Sequence, residues 1–369
     1  MTGPRGKLAL CLCGGGVTGG MYELGALAAL DDFFARDQVG GGFSVNDFDV
    51  YVGTSAGAFV ATLMASGMRV HRMVRGVLEE DQSLLPARRT DIYRFDPSQG
   101  FGVLRDIAGV LFGAVAKAVR RKPFSEELLG ELLEVLPAGI FSLRHYERYL
   151  DRFLRHHQLA TTFAELSHEL LITANDLDSG HRAVFGRKPL DDVPLATAMC
   201  ASSAIPLFFE PVRWNGRDYV DGAVGKVAHA DLALERGATL VVVVNPLVPY
   251  RHDPEQGTVP SALAGARHIG DKGLLAVYGQ AGKMSTRTKL HQGLRRYHAQ
   301  HPEATFLLIE PREEEADMFL QNPMSWESRK QMVRYGYSST TELLRTERAK
   351  WLEAFERHGV PVAAAAKLA

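Results

Sequence analysis

The chain alternates between short apolar runs and longer stretches in which apolar residues recur at helical spacing. The short runs are rich in apolar and β-branched residues, and this pattern predicts β-strands. They lie at residues 8–13, 48–52, 170–174, 240–244 and 305–309. The run at 240–244 contains no polar residue, as is typical of a strand buried on both faces of a sheet.

Helical spacing follows the first two predicted strands. Within residues 21–30, Leu24, Leu27 and Leu30 lie near one face of a helix, and residues 58–64 are apolar and compatible with a helix. A strand followed by a helix, and then by a second strand and helix, indicates the α/β class of folds.

The second half of the chain adds further elements. A hairpin is predicted to pair the strand at 170–174 with residues 181–185. Another extended segment ends at Asp221. The same signals predict helices at 194–203 and 325–357, an extended segment at 207–213 and a turn at 214–216.

Residues 84–160 interrupt the alternation and carry little strand signal. Two helices are predicted there, near 101–122 and 125–157, and we expect the region to form a helical insert over the functional site. The helix at 101–122 combines an apolar stripe with a basic end, which fits an interfacial helix that contacts a membrane surface reversibly. A helix packed on the core with a solvated end has the same spacing, so both interpretations stay open. The basic end consists of Lys117, Arg120, Arg121 and Lys122.

The stretch Gly53-Thr54-Ser55-Ala56-Gly57 connects a predicted strand to a predicted helix. In that context G-x-S-x-G indicates a nucleophile elbow, a sharp turn that lifts a serine out of the sheet. Gly53 and Gly57 leave room for a strained backbone and for close packing of the helix on the strand. The N-terminus of that helix favours negative charge developing near Ser55. We therefore predict that Ser55 is the nucleophile; the simpler alternative is a turn made of small residues.

A second glycine-rich turn, Gly14-Gly15-Gly16-Val17-Thr18-Gly19, joins the first strand to the first helix. Its spacing also satisfies the G-x-G-x-x-G fingerprint of dinucleotide-binding folds, but the next strand does not end in the acidic residue that this fingerprint requires. The other use of such a turn is an oxyanion hole, in which backbone N–H groups point at an acyl oxygen. We predict an oxyanion hole at Gly14, Gly15 and Gly16, supported by Gly19, and keep nucleotide binding as the alternative.

An activated serine needs a proton acceptor, which is a histidine or a carboxylate. Asp221 ends a predicted strand and is followed by Gly222 and Ala223, small residues that let another segment approach. Asp218 is a local competitor, but it lies beside a turn and we expect it to serve that turn or the solvent. A Ser–His–Asp esterase of the α/β-hydrolase type stays open because several histidines follow this aspartate. They are His229, His252, His268, His291, His298 and His301.

Composition narrows the classes of function. The formal net charge of −1 gives no overall field that attracts nucleic acid. The three cysteines, Cys11, Cys13 and Cys200, form no disulfide framework, which suits a reducing compartment. Cys11 and Cys13 point to the same face of one strand, where two buried small side chains are a better interpretation than a metal site. We predict no metal and no cofactor.

These motifs, in this order, resemble the patatin-like phospholipase family. Three of them carry the predicted chemistry: the glycine-rich turn from Gly14, the elbow around Ser55, and the Asp-Gly-Ala segment from Asp221. The resemblance extends over about residues 6–345, apart from the insert. Two further stretches also look like the family, and they lie at 171–177 and 201–212.

The resemblance implies a three-layer α/β/α fold with a mainly parallel central sheet, and a Ser–Asp dyad without a catalytic histidine. Ser55 would attack an ester carbonyl of a lipid or phospholipid, and Asp221 would accept and return the proton. Amides around Gly15 and Gly16 would hold the oxyanion, and water would then release the acyl group. The family often has Arg or Lys where this chain has Thr18. That departure weakens the expectation of a phospholipid substrate more than that of an acyl ester.

The expected organisation is one hydrolase domain at residues 1–348, followed by a helix end and an Ala-rich tail at 349–369. The apolar run at 8–13 is too short for a signal peptide, and no stretch reaches the length of a membrane span. We therefore expect a cytoplasmic lipid acyl hydrolase that contacts membranes only at their surface.

Overall fold

The computed structural model describes residues 6–36, 43–81, 138–255, 257–259, 266–315 and 324–361. The predicted interfacial helix at 101–122 lies outside this part of the chain, as does the predicted insert up to residue 137. Among the helices that are described, none combines the length and the hydropathy that crossing a membrane requires.

The strands predicted from the apolar runs are present, each within a few residues of its expected position. In chain order the strands are β1 (Lys7–Leu12), β2 (Val50–Thr54), β3 (Gly139–Phe141), β4 (Glu169–Asp176), β5 (His181–Phe185), β6 (Leu207–Phe209), β7 (Val212–Trp214), β8 (Arg217–Asp221), β9 (Ala238–Val244) and β10 (Thr305–Ile309). One strand, β3, was not predicted, and the extended segment predicted at 207–213 forms two short strands, β6 and β7.

The main sheet has the strand order β10-β9-β1-β2-β4-β8-β7, and β5 also pairs with β4. The neighbours from β10 to β4 run parallel, whereas β5 and β8 run antiparallel to β4. Leu12 at the end of β1 is in register with Gly53 of β2 and Val244 of β9. The turns that follow β1, β2 and β9 therefore begin at one edge of the sheet, which is where ligands bind in open parallel sheets.

Helices cover both faces of the main sheet, which gives the predicted three layers. The helices are α1 (Gly16–Arg36), α2 (Ala56–Ala65), α3 (Val70–Leu78), α4 (Arg144–His156), α5 (Leu195–Ser202), α6 (Ala230–Glu235), α7 (Leu274–Gln300), α8 (Arg329–Thr346) and α9 (Arg348–Arg357). One buried cluster contains residues of α1 to α5, α8 and α9 on the first face, and a second cluster packs α6 and α7 against the other.

Helices α1 and α8 approach each other closely through two glycines. A Cβ atom at Gly25 of α1 would overlap the backbone carbonyl of Val333, and one at Gly336 of α8 would overlap that of Tyr22. Side chains at either position would push the helices apart, so the glycines fix where α8 lies relative to α1. Helix α9 shares the same core through the buried Trp351.

Several predicted elements differ from the observed ones. The helix predicted at 125–157 does not extend through 139–141, which form β3; Pro137 in the sequence lacks the N–H that a continuous helix requires. The segment at 207–213 divides around Pro211 into β6, which pairs with β3, and β7, which pairs with β8. The helix at 325–357 is two helices, because Glu347 lies between them with φ −107° and ψ 21°.

Helix α7 is the longest element that the apolar pattern does not predict. Leu290 and Tyr297 in its second half are buried, but Leu274 and Tyr278 in its first half are exposed. The apolar face therefore changes along the helix, and no single periodic stripe marks it in the sequence.

Candidate active site

Ser55 lies in a sharp turn between β2 and α2, as the elbow motif predicts. Its backbone has φ 56° and ψ −131°, a left-handed region that non-glycine residues seldom occupy. The residue is only 3% exposed. A strained backbone at a buried polar residue is held in place by its surroundings, and those surroundings are built from three other segments of the chain.

Ser202 at the end of α5 supports the elbow directly. Its hydroxyl oxygen accepts a hydrogen bond from the N–H of Ser55 at 2.8 Å, and the hydroxyl donates to the carbonyl of Thr173 at 2.7 Å. The hydroxyls of Thr54 and Thr173 are 2.8 Å apart. Ser202 thus connects the strained turn to β4. The sequence pattern at 201–212 did not predict this contact.

The two glycines of the elbow are required by close packing. A Cβ at Gly53 would lie 2.6 Å from the Cα of Ala58 in α2, and a Cβ at Gly57 would lie 2.7 Å from the carbonyl oxygen of Leu12 in β1. Real Cβ atoms do not come so close to backbone, so α2 can sit against β1 and β2 only with glycine at both positions. This agrees with the reason for which the sequence analysis singled them out.

The glycine-rich turn after β1 lies directly against the elbow. Gly14, Gly15 and Gly16 have φ values of 75°, 116° and 69°, a succession that favours glycine at each position. A Cβ at Gly14 would lie 2.8 Å from the Cβ of Ser55. The N–H of Gly19 donates to the carbonyl of Gly15 at 3.1 Å and closes the turn.

The amides of this turn are not equivalent. The N–H of Gly14 donates to Oε1 of Glu23 at 2.7 Å, so it points into α1. Gly15 and Gly16 stand at the start of α1, where backbone N–H groups lack acceptors within the helix. These two amides are therefore the candidate donors to an oxyanion. Gly14 allows the turn to pack closely against Ser55. Glu23 was not predicted from the sequence. The feature that could have identified it is a lone carboxylate within the apolar helical run at 21–30.

Asp221 ends β8, which β4 separates from β2 in the sheet, and its side chain lies near that of Ser55. The Asp221 carboxyl interacts with the side chain of Ser55, and the N–H of Ala223 donates to its Oδ1 at 2.8 Å. Burial raises the pKa of Asp221 to about 6, and the interactions with Ser55 and Ala223 oppose that rise. Gly222 packs with its α-carbon against the backbone of Thr173, where a side chain would not fit.

The histidines that follow Asp221 do not join this pair. His229 is buried, but its Nδ1 faces the guanidinium of Arg182 at 3.1 Å. Burial, and then Arg182, lower its pKa to about 3, so it would be a poor proton acceptor. Asp218, the competing carboxylate, pairs with Arg213 at 2.6 Å near the surface, as expected for a residue serving a turn.

An apolar cavity of about 350 Å³ opens beside Ser55. No histidine is found among the described residues that line it, and Gly16 lies on its wall next to Ser55. Such concave apolar sites are typical of binding sites for small hydrophobic molecules. The apolar wall is formed mainly by Phe59, Val60, Leu143, Met199, Ile205 and Phe209.

The cysteines lie in the core. Cys11, Cys13 and Cys200 are buried and free, and burial raises the pKa of each thiol. Within the ranges that the structure describes, no group of His, Cys, Asp and Glu has the arrangement of a metal site. Cys11 and Cys13 pack in the apolar cluster beneath α6 and α7, as small core residues do.

The sequence of the chain also matches that of known proteins. A family described as patatin-like phospholipase matches residues 10–234, which include Gly14, Ser55 and Asp221. The chain is also 22% identical over 232 residues to "Probable lipid hydrolase 463L" of Invertebrate iridescent virus 6. That match covers 63% of this chain, and it spans 65% of the relative's length.

Two solved structures are also similar to the chain. The crystal structure of VipD from Legionella pneumophila matches with a TM-score of 0.36 and 15% identity, over 94% of this chain and 68% of that one. The type III effector protein ExoU matches with a TM-score of 0.36 and 14% identity, over 93% of this chain and 53% of that one.

Proposed function

The chain belongs to the patatin-like phospholipase family, and from this premise we propose that it is a serine acyl hydrolase that cleaves carboxylic esters of lipids. The observation that carries the proposal is the interaction of the Ser55 side chain with the buried carboxyl of Asp221 beside an apolar cavity. A nucleophile and a base in contact, next to a site that admits an acyl chain, are what ester cleavage needs.

The first chemical step forms an acyl-enzyme. Ser55 Oγ attacks the carbonyl carbon of the ester while its proton passes to the Asp221 carboxylate. The tetrahedral intermediate then collapses, the bond to the leaving alcohol breaks, and Asp221 returns the proton to that alcohol. Its raised pKa of about 6 suits this double role, because a base near the working pH both accepts and returns a proton efficiently.

The second step restores the enzyme. Water attacks the acyl carbonyl on Ser55, and Asp221 accepts a proton from that water as it earlier did from the serine. The released serine oxygen takes the proton back from Asp221, and a carboxylic acid leaves. Both steps develop negative charge on the same carbonyl oxygen, which the amides of Gly15 and Gly16 would stabilise as an oxyanion hole. Neither step requires a metal or a cofactor.

The shape of the site favours lipids over small polar esters. The cavity wall is largely made of aromatic and aliphatic side chains such as Phe59 and Phe209, which would accept an acyl chain. Burial of apolar surface contributes roughly 25 cal/mol per Å² to such binding. We therefore propose that kcat/KM increases with acyl length until the cavity is filled.

Ser55→Ala tests the proposal most directly. The variant should fold normally, lose ester hydrolysis and lose labelling by a fluorophosphonate, while the unaltered protein is labelled on the peptide that contains Ser55. Ser66→Ala is the matched control, because Ser66 lies at the other end of α2 and its hydroxyl donates only to the carbonyl of Thr62. If Ser55→Ala is still labelled by the fluorophosphonate, the assignment of Ser55 as the nucleophile is wrong.

A further inference from the structure

Arg329 places a positive charge on the wall of the cavity that Ser55 lines. It is the first residue of α8 and lies outside residues 10–234, the part that matches the family. Glu80 is the other charged residue among the described residues on that wall. The Arg329 side chain is only 19% exposed, so water screens its charge weakly.

The guanidinium of Arg329 is held in one orientation by Trp326. Its Cζ lies 3.6 Å from the centroid of the Trp326 ring, and its Nε donates to the Trp326 carbonyl at 2.7 Å. These contacts use one face of the guanidinium and one N–H. Within the described ranges, neither terminal amino group has a hydrogen-bond acceptor. A planar fork with its end left open matches the geometry of a phosphate or carboxylate.

The charge of Arg329 is only partly balanced by the protein. Among the described residues, Oε1 of Glu80 is the nearest carboxylate oxygen; it lies 3.9 Å from Nη2 of Arg329, and 3.2 Å from the ammonium of Lys330. The Glu80 side chain is 61% exposed, so water weakens its attraction. Burial lowers the pKa of Arg329, and Glu80 and Glu327 oppose that effect. The cavity thus contains a preoriented cation that an anionic ligand would stabilise.

We propose that Arg329 binds a phosphate ester carried by the lipid whose acyl ester is cleaved at Ser55. This inference rests on the proposed function and narrows its substrate class to lipids with an anionic phosphate group near the scissile ester. The contact of α8 with α1 through Gly25 and Gly336 fixes where Arg329 lies.

The test compares two substrates that share one acyl chain: a lysophosphatidic acid and the corresponding neutral monoacylglycerol. The measured quantity is the ratio of kcat/KM for the phosphate ester to kcat/KM for the neutral ester. Arg329→Gln should lower this ratio at least tenfold, and Arg329→Lys should restore part of it because a point charge replaces the fork. Raising the salt concentration should also lower the ratio in the unaltered protein.

Two neighbouring variants separate anion binding from a structural role. Glu80→Gln removes the competing negative charge, so it should raise the ratio, opposite to Arg329→Gln. Lys330→Gln is the matched control: Lys330 contacts the same Glu80 but is not among the described residues of the cavity wall. If Arg329→Gln and Glu80→Gln reduce both substrates equally, Arg329 merely joins α8 to α3 and the inference is wrong. A ratio unchanged in Arg329→Gln overturns it as well.

A binding measurement makes the inference independent of hydrolysis. Calorimetric titration of Ser55→Ala with octyl phosphate, octanol and inorganic phosphate should give the tightest binding for octyl phosphate, weakened at least tenfold by adding Arg329→Gln. If the unaltered protein hydrolyses no ester but this pattern holds, the proposed function fails and the anion site stands. Equal affinity for octyl phosphate and octanol would overturn the anion site. Arg329-dependent binding of inorganic phosphate without any gain from the alkyl chain would indicate a free-phosphate site instead of a lipid site.

Discussion

The N–H of Gly14 donates a hydrogen bond to Oε1 of Glu23 across a distance of 2.7 Å, inside the core. This bond ties the turn after β1 to the second turn of α1, so the shape of the candidate oxyanion loop depends on a buried carboxyl group. Oε2 of Glu23 has no hydrogen-bond partner in the part of the chain described here. Burial raises the pKa of Glu23 to about 8, against the effect of the hydrogen bond from Gly14.

The raised pKa of Glu23 predicts how stability depends on pH. The folded state keeps the proton up to about pH 8, whereas the unfolded chain loses it near pH 4.5. Between these values the folded state binds more protons, so the free energy of unfolding falls as pH rises, by up to about 1.4 kcal/mol per pH unit. Glu23→Gln should flatten that fall, as measured by denaturant unfolding at a series of pH values.

Glu165→Gln is the matched control for this measurement. Glu165 also accepts a backbone N–H, that of Thr161, at 2.7 Å, but it is exposed and the hydrogen bond lowers its pKa. The contribution of Glu165 to the free energy of unfolding is present above its unfolded pKa and is lost as pH falls. Glu165→Gln should therefore leave unchanged the decrease in the free energy of unfolding between pH 4.5 and 8. An unchanged slope in Glu23→Gln would show that Glu23 does not titrate with the raised pKa.

Asp221 gives a prediction about rate. A general base must be ionised, so kcat/KM for a neutral ester should rise with pH through about 6 and level off above it. Asp221→Asn is nearly isosteric but accepts a proton poorly, and it should lower kcat by about two or more orders of magnitude. Stopped assays with a short-chain nitrophenyl ester between pH 4.5 and 8.5 measure both effects.

His229→Ala distinguishes this dyad from a Ser–His–Asp triad. His229 faces Arg182 and its pKa is lowered to about 3, so the variant should keep the pH midpoint of about 6 whatever it does to stability. A triad would show the reverse pattern, in which His229→Ala loses both the turnover and the pH midpoint of about 6.

A pair of glycine substitutions tests the contact between the two turns. Gly14 and Gly67 both have positive φ, at 75° and 85°, so Gly→Ala introduces similar backbone strain at each. Beyond that strain, a Cβ at Gly14 would press on the Cβ of Ser55, whereas a Cβ at Gly67 meets nothing within 4 Å. Gly14→Ala should therefore lower kcat in the folded protein, and Gly67→Ala should cost only stability, about 1 kcal/mol. Equal kcat in the two variants would show that the contact between the glycine turn and Ser55 does not affect the reaction.

The sequence predicted those parts of the site that lie where strands end. Ser55 and Asp221 each follow a recognisable strand, and the glycines around them stand where backbone must come close to backbone. Such positions leave a local signal, because the residue type and the neighbouring strand are adjacent in the chain. The parallel sheet and its buried central strand could be predicted for the same reason.

The groups that come from distant segments could not be predicted in this way. Ser202 reaches Ser55 across 147 positions of the chain, and Arg329 reaches the cavity from a helix outside the part that matches the family. Their residue types are ordinary for their helices, so only the packing of α5 on β4 and of α8 on α1 gives them a role. Glu23 is the intermediate case. A carboxylate in an apolar helical run indicates that the side chain is buried with a polar partner, but the sequence does not identify that partner.

Ser202→Ala tests whether the elbow depends on that distant support. The substitution leaves the buried N–H of Ser55 without its acceptor, which typically costs about 1–3 kcal/mol. The strained turn should relax, and because a displacement of about 1 Å can reduce turnover about 100-fold, kcat should fall at least tenfold while the fold persists. Ser66→Ala, which removes a hydroxyl that donates to the carbonyl of Thr62 at 2.8 Å, is the control for losing a serine hydrogen bond away from the elbow. Stability is read from denaturant unfolding, and turnover from assays at temperatures where each variant is folded. If Ser202→Ala loses stability but keeps the kcat of the unaltered protein, then β2 and α2 alone hold Ser55 in position.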